Sequence, residues 1–316
     1  MPEFLKRKKA RIHLKKPERQ ERKIRKKARI LALEECQKRN NSGIARKEEF
    51  FYVSLQSLTE NYWRILGMHI LAVGNQKGGV AKTTSTAVLG VLLSRQGKRV
   101  HLVDMDPQAN LTESFGYEDT EGVLYQALKS RGPLPVVELA ENLSITPSSI
   151  DLAKAETELL AETAREYMLK TCLEKTDLPK DTLVIIDCPP SLAVLATNCF
   201  TSAEGIIVPM KAGGFELRAV GHLTEVVRVL KEYVNKQLKI VGVILTEANS
   251  RRAITQQVIE EVKQIYPVLG QIRQDVDLVE AAAGGGMLKL KRSTALEDYG
   301  VVVKKLGEEL PWLKSK

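Results

Sequence analysis

The sequence is sparing in the residues that would point to several common protein classes. Four cysteines, Cys36, Cys172, Cys188 and Cys199, are spread over 316 residues with no C-x-x-C pair and no Cys/His metal spacing. That argues against a disulfide scaffold, a zinc ribbon and a shared iron–sulfur cluster, and predicts a reduced, cytoplasmic protein. No apolar run approaches the length that spans a bilayer, and the N-terminus has no apolar signal region. Aromatic residues make up only 5% of the chain, so a core must be built from aliphatic side chains, and a chain of this length can bury an ample one.

The formal charge of +9 is present but unevenly placed. Residues 1–67 hold 19 Lys and Arg against 8 Asp and Glu, a net of +11, which leaves +9 − 11 = −2 for residues 68–316. Residues 1–30 alone carry 14 basic and 3 acidic side chains, a composition unable to bury enough apolar surface to fold independently. Residues 1–49 therefore read as a basic, disordered or loosely helical arm. Residues 50–67, opening FFYVSLQSLTENYWRIL, read as a short helix and linker, and 68–316 as the folded domain. Three readings of the arm stand open: an electrostatic contact for DNA, a solvated tail, or a segment that precedes a true start at Met68.

The domain is organised around residues 74–84, GNQKGGVAKTT. An apolar stretch from His69 to Val73 leads in, and an apolar-periodic run from Ala87 to Leu93 leads out, which is strand, loop, helix. Gly78 and Gly79 let main-chain N–H groups approach an anion closely. The helix N-terminus behind them favours phosphate, Lys82 adds a charge at β- and γ-phosphates, and Thr83 offers a hydroxyl to magnesium. The usual pattern G-x-x-x-x-G-K-[ST] fails at both glycines, where Gln76 and Ala81 stand, and a second lysine, Lys77, lies five residues before Lys82. For Ala81 to be harmless, its φ should be negative.

K-G-G-x-x-K-T-T resembles the deviant Walker A loop of the ParA/MinD family of ATPases, in its ParA-like (Soj-like) branch. Two further stretches carry the resemblance in the right order. VDMDPQANLT, residues 103–112, is similar to the family's second nucleotide motif, and TLVIIDCPPS, residues 182–191, to its Walker B strand. The alternation of Asp104 and Asp106 at a strand end lets one face a site while the other supports it. Pro189 and Pro190 turn the chain, with Ser191 as a helix N-cap, and Cys188 reads as a small buried packing residue.

The resemblance covers residues 69 to about 305. It implies an α/β fold of the P-loop NTPase, deviant Walker A type: a mostly parallel twisted sheet with helices on both faces, plus the basic extension. It implies an ATPase using ATP and Mg2+, with Gly78, Gly79, Val80, Ala81, Lys82, Thr83 and Thr84 around the phosphates. Thr83 and Asp187 serve the metal, Asp104 lies near the metal shell or the loop, Asp106 positions the attacking water, and Thr246 ends a strand beside the base pocket. Lys77 reaches across to the phosphates of a second protomer in an ATP-bound homodimer. Such a dimer binds DNA without sequence preference, associates with the nucleoid, and is released when a ParB-like centromere-binding partner stimulates hydrolysis.

Arg251 falls where the family has a DNA-contacting arginine, with Arg252 beside it. In IRQDVDLVEAAAGGGML, residues 272–288, Asp277 stands where another such arginine is common. Either Lys289, Lys291 and Arg292 or the arm take over that contact, or DNA binding is weak. Around GIIVPMK, Pro209 and the pair Phe215–Glu216 sit at the dimer and adenine surfaces of the family. A MinD-type membrane- or cargo-positioning ATPase and an operator-binding regulator are the alternatives. Leu296, Tyr299, Val302, Val303, Leu306 and Leu310 fit a helix face packed on the domain, against a membrane-targeting helix. A single amphipathic run is expected from Ile150 to about Glu174.

Overall fold

The computed structural model describes residues 68–119, 121–212, 217–248 and 253–314, without side chains at 217–220 and 254. The arm at 1–49 and the linker at 50–67 lie outside the described residues. Contacts divide the chain into a large unit, Ile70–Thr176 with Thr182–Lys316, and a second, Met1–His69 with Asp177–Asp181. Every element named below belongs to the large unit, apart from the first residue of β1.

Among the described residues eight strands follow one another along the chain, with helices between all but β3 and β4. The strands are β1 (His69–Val73), β2 (Val100–Asp104), β3 (Val137–Ala140), β4 (Leu143–Thr146), β5 (Leu183–Asp187), β6 (Gly205–Lys211), β7 (Lys239–Thr246) and β8 (Val268–Gln271). They form one sheet in the order β3-β4-β2-β5-β1-β6-β7-β8. The pairs β2–β4, β2–β5, β1–β6, β6–β7 and β7–β8 are parallel, and β3–β4 is antiparallel at the edge. Strands β2 and β5 are buried at every residue, and their Val/Ile/Leu-rich character is what a sheet covered on both faces demands. Because β5 lies between β1 and β2, the loops leaving the carboxyl ends of these three strands converge.

Helix α1 (Lys82–Arg95) ends just before Gly97, whose φ of 82° provides the left-handed exit. Its Ser85, Thr86, Ala87, Val88, Leu89, Gly90, Val91 and Leu93 are all buried, so it is enclosed by its neighbours on nearly all sides. The helices that follow are α2 (Asn110–Ser114), α3 (Val123–Ser130), α4 (Met168–Lys175), α5 (Val194–Ser202), α6 (Leu217–Tyr233), α7 (Ala253–Lys263), α8 (Val276–Ala283) and α9 (Thr294–Glu309).

In α9, Leu296, Tyr299, Val302, Val303 and Leu306 are buried in the core cluster, joined by Leu310 beyond its end. Tyr299 also bonds α1 through Ser85, its hydroxyl 2.7 Å from the Ser85 Oγ. The apolar face of α9 is thus spent on the domain. Among the described residues no helix is long and apolar enough to cross a membrane.

Two sequence expectations fail here. The run from Ile150 to Glu174 is broken into short turns at Ile150–Lys154, Ala155–Glu158, Leu159–Ala161 and Arg165–Tyr167 before α4. The break lies where Ala164 takes φ 54°, a conformation no α-helix interior contains. Ser191 is not an N-cap, because α5 begins three residues later behind an extended Ala193.

His101 on β2 is fully buried, its Nδ1 2.9 Å from Ser144 Oγ and its Nε2 2.9 Å from Thr146 Oγ1, both on β4. Burial pushes its imidazole down to about 3. The unfolded chain, with an ordinary value of about 6.5, takes up this proton first as pH falls. His101 therefore costs stability progressively below about pH 6.5, at about 1.4 kcal/mol per pH unit until the folded value is reached. His101→Gln is expected to remove that dependence. The stability difference between variant and wild type, from urea unfolding at pH 7 and pH 4.5, should move in the variant's favour at the lower pH. A constant difference would contradict it.

Candidate phosphate-binding site

The loop after β1 is held from below before it is offered to a ligand. Gly74 donates its N–H to the Ile207 carbonyl at 3.0 Å, and a Cβ there would sit 2.8 Å from the Phe200 ring, so glycine is required. Asn75 is buried, donating Nδ2 to the Pro209 carbonyl at 2.7 Å while its Oδ1 accepts the Lys77 N–H at 3.1 Å. Thr246 is buried as well, and its single hydroxyl hydrogen is shared between the carbonyls of Val80 at 3.3 Å and Met210 at 3.2 Å. That places Thr246 under the phosphate loop as a main-chain support.

Gln76, Lys77, Gly78 and Gly79 are exposed, and a Cβ at either glycine would meet nothing within 4 Å, so the upper surface of the loop is open. Gly79 has φ 68°. Ala81 has φ 64° and ψ 36°, which overturns the expectation of a negative φ. The residue differs from the usual glycine, but its backbone shape is one that glycine adopts readily. An alanine in this conformation costs about 1 kcal/mol, and such strain persists where the surroundings over-determine it.

Behind Ala81, α1 starts with no side-chain cap and no acid in its first turn, so its leading N–H groups are available to an anion. Lys82 is buried, and its Nζ donates to the Lys77 carbonyl at 3.2 Å, curling over the loop it belongs to. Burial lowers its pKa, opposed by the nearby Asp187, Cys188 and Asp106. Thr83 and Thr84 are half-buried beside it.

Two carboxylates stand level at the strand ends, since Asp104 and Asp187 are direct partners in the β2–β5 register. Asp187 Oδ2 accepts from Thr83 Oγ1 at 2.7 Å, and its Oδ1 from Thr86 Oγ1 at 3.4 Å. Burial raises its carboxyl well above the usual range, reinforced by Asp104, with the Thr83 hydroxyl opposing. Burial likewise pushes Asp104 up to about 7, against the hydrogen bonds it accepts from Thr112. A divalent cation placed here would favour the ionised form of both.

Asp104 is a supporting group, bonded to the Thr112 N–H at 2.9 Å, the Thr112 hydroxyl at 2.6 Å and the Asp106 N–H at 3.2 Å. Asp106 is the one with a free oxygen. Its Oδ1 accepts from the Gln108 N–H at 3.0 Å, and its Oδ2 has no partner among the described residues.

The structure thus gathers Gly78, Gly79, Val80, Ala81, Lys82, Thr83, Asp104, Asp106 and Asp187 at one edge of the sheet. Asn75, Thr86 and Thr112 complete the support and were missed in the sequence, where their only signal is a polar side chain among apolar neighbours. Arg251, Arg252 and the pair Phe215–Glu216 lie outside the described residues. Lys289, Lys291 and Arg292 are exposed beside the far end of α1, away from the loop. Cys188 is buried, as expected of a packing residue.

No cluster of three metal-ligating side chains occurs among the described residues. A magnesium ion bound mainly by phosphate oxygens and water needs only the adjacent Thr83 hydroxyl and Asp187 carboxylate, so the donor set fits. A parallel sheet with a phosphate loop, a helix N-terminus, a buried lysine and a hydroxyl–carboxylate pair defines a P-loop-type nucleotide-binding protein with a deviant loop.

Comparison with known proteins places it further. A family model described as an AAA domain matches residues 68–240. The sporulation initiation inhibitor protein Soj of Bacillus subtilis is 39% identical over 242 residues, covering 73% of this chain and 94% of Soj. Cobyrinic acid a,c-diamide synthase from Mycobacterium smegmatis, solved with ADP and magnesium, is 33% identical with a TM-score of 0.63, covering 77% of this chain and 96% of that one. A plasmid partition protein from Borrelia burgdorferi B31, bound to AMPPNP, is 25% identical with a TM-score of 0.68 over 77% and 99% of the two chains. The chain belongs to the ParA/Soj-like family of deviant Walker A ATPases.

Ala81→Gly is expected to stabilise the protein by about 1 kcal/mol and to keep nucleotide affinity. Ala81→Val places a β-branched residue at positive φ and should lose both stability and nucleotide binding. Thermal unfolding and calorimetric titration with ATP check this, and a valine variant that binds like wild type would contradict it.

Proposed function

We propose that the protein is a DNA partition ATPase whose ATP- and Mg2+-bound form is a dimer. That dimer binds DNA without sequence preference at the nucleoid and lets go when a ParB-like centromere-binding partner stimulates hydrolysis. The observation that carries the reading is the 2.7 Å contact between Thr83 and Asp187 at the start of a helix whose loop bears both Lys77 and Lys82. Thr83 and Asp187 would hold a magnesium ion, which would supply neutralisation of phosphate charge. Lys82 holds the β/γ-phosphate oxygens, while the leading N–H groups of α1 bind the anion from behind. Asp106, with one oxygen free, orients the water that attacks the γ-phosphorus. Lys77, exposed on the loop, completes the charge on a second protomer's phosphates, as an arginine finger does in trans.

For DNA, the strip Leu288–Arg292 supports the reading best. Leu288 and Leu290 pack on the core, and Lys289, Lys291 and Arg292 are exposed. Arg95 at the end of α1 clamps the strip, donating Nη2 to the Leu288 carbonyl at 3.1 Å and the Leu290 carbonyl at 2.9 Å. Among the described residues no acidic side chain pairs with these three cations. Arg273, by contrast, is committed to Asp298 through bonds of 2.9 and 2.8 Å. The MinD-type alternative has less support, since the face of α9 that would meet a membrane is buried. An operator-binding regulator would act through the arm, which lies outside the described residues. The synthase among the neighbours is solved with ADP and magnesium, and the match to nearly the whole of Soj favours partition.

Lys82→Ala should abolish ATP binding. Asp106→Ala should bind ATP, persist as a dimer and hydrolyse at least about a hundredfold more slowly. In sedimentation with ATP, the protein should travel with duplex DNA and not with anionic liposomes. Replacing Lys289, Lys291 and Arg292 by alanine should lower the salt slope of DNA affinity by about 0.9 per lost contact. Hydrolysis by Asp106→Ala at the wild-type rate, or sedimentation with liposomes alone, would contradict the reading.

A further inference from the structure

The residues around Asp106 close into a ring that the reaction as described does not use. Asp106 donates its N–H to Asp104 Oδ1 at 3.2 Å. Asp104 Oδ2 accepts the Thr112 hydroxyl at 2.6 Å and the Thr112 N–H at 2.9 Å. The same Thr112 oxygen accepts the Ser148 N–H at 2.9 Å, and Ser148 Oγ donates to the Asp106 carbonyl at 2.8 Å, which returns to the start. Four residues from three places in the chain, the end of β2, the helix α2 and the turn after β4, are thereby joined. Asp104, Thr112, Ser148 and Asp106 are all buried.

The ring acts on the main chain of Asp106 and not on its side chain. Asp106 lies beyond the end of β2, where no ladder bond fixes its backbone. Its carbonyl accepts the Ala109 N–H at 2.9 Å to close the turn Asp106–Ala109, and Ala109 holds φ 56°. Ser148 bonds the carbonyl of that turn from outside it, as Asp104 bonds its first N–H. A buried hydroxyl often does no more than satisfy a neighbour. Here Asp104 only accepts, Ser148 only donates, and Thr112 and Asp106 do both, so loss of Ser148 leaves the Asp106 carbonyl held only by its own turn, and loss of Thr112 frees Ser148 from the ring.

We propose that Thr112 and Ser148 are positioning residues for hydrolysis: they fix the backbone of Asp106 and so aim its free carboxylate oxygen at the attacking water. The inference rests on the reading of Asp106 as the water-orienting group. A side chain whose carrier shifts by a fraction of an ångström loses rate without losing substrate affinity, because binding is made by the loop at Gly78–Thr83.

The test is steady-state ATP hydrolysis by the full chain with Mg2+. Ser148→Ala should lower kcat by about ten- to a hundredfold, with KM for ATP within about twofold of wild type. Thr112→Val should do the same or unfold, and Thr112→Ser should recover wild-type kcat. Ser144→Ala removes a buried β4 hydroxyl that bonds His101 and lies outside the ring, and it should leave kcat unchanged. In an Asp106→Ala background, Ser148→Ala should remove nothing more. An inactive Asp106→Ala beside a fully active Ser148→Ala would overturn the ring while sparing the Asp106 assignment, as would an equal loss of kcat in Ser144→Ala. An Asp106→Ala enzyme of wild-type rate would overturn the Asp106 assignment, and the ring with it.

Discussion

The 2.7 Å bond between the Thr83 hydroxyl and the Asp187 carboxylate joins the first turn of α1 to the end of β5, 104 residues later. It can form only if β1 and β5 are neighbours in the sheet and the loop between β1 and α1 turns back over the strand ends. The strand order, the clearance at Gly74 and the left-handed turn at Ala81 all serve that geometry. Once it is made, the two groups that fit a magnesium ion are already adjacent, and the helix N-terminus points where a phosphate would lie.

The same contact concentrates charge at a buried place. Lys82, Asp104 and Asp187 are all withdrawn from water, and burial is the first cause of the shift at each. Burial alone would make the site a liability, since a buried charge is costly unless compensated. Hydroxyls and main-chain N–H groups from Thr83, Thr86, Thr112 and Asp106 offset part of that cost. A bound cation with phosphates would offset more.

Much of this was legible in the sequence because the motifs are local. The strand endings at Asp104 and Asp187, the strand Leu143–Thr146 and the helix Lys82–Arg95 follow from apolar runs bounded by glycine or aspartate. Other features are set by contacts between distant segments. Ala81 was expected at negative φ because alanine prefers it, and the supports at Asn75, Val80 and Thr246 prevail over that preference. The broken run after Ile150 reads as one amphipathic helix because helical periodicity survives a change of direction. The edge strands β3 and β8 are only partly buried, unlike β4 of the same length, and so leave a weaker apolar signal. The ring through Thr112 and Ser148 joins polar residues 36 positions apart, which no local pattern records.

In the proposed mechanism Lys77, the departure from the usual phosphate loop, belongs to a site that a second copy of the chain completes. Mixing Lys77→Ala with Asp106→Ala protomers before adding ATP tests it most directly. Each variant alone should be nearly inactive. In a mixed dimer, the Lys77→Ala protomer keeps its own Asp106 and receives the partner's lysine, so one of the two sites is whole. An equimolar mixture should regain about a quarter of the wild-type rate, as expected for random pairing in a two-fold dimer. A mixture as inactive as its parents would place Lys77 in its own protomer's site and contradict the claim.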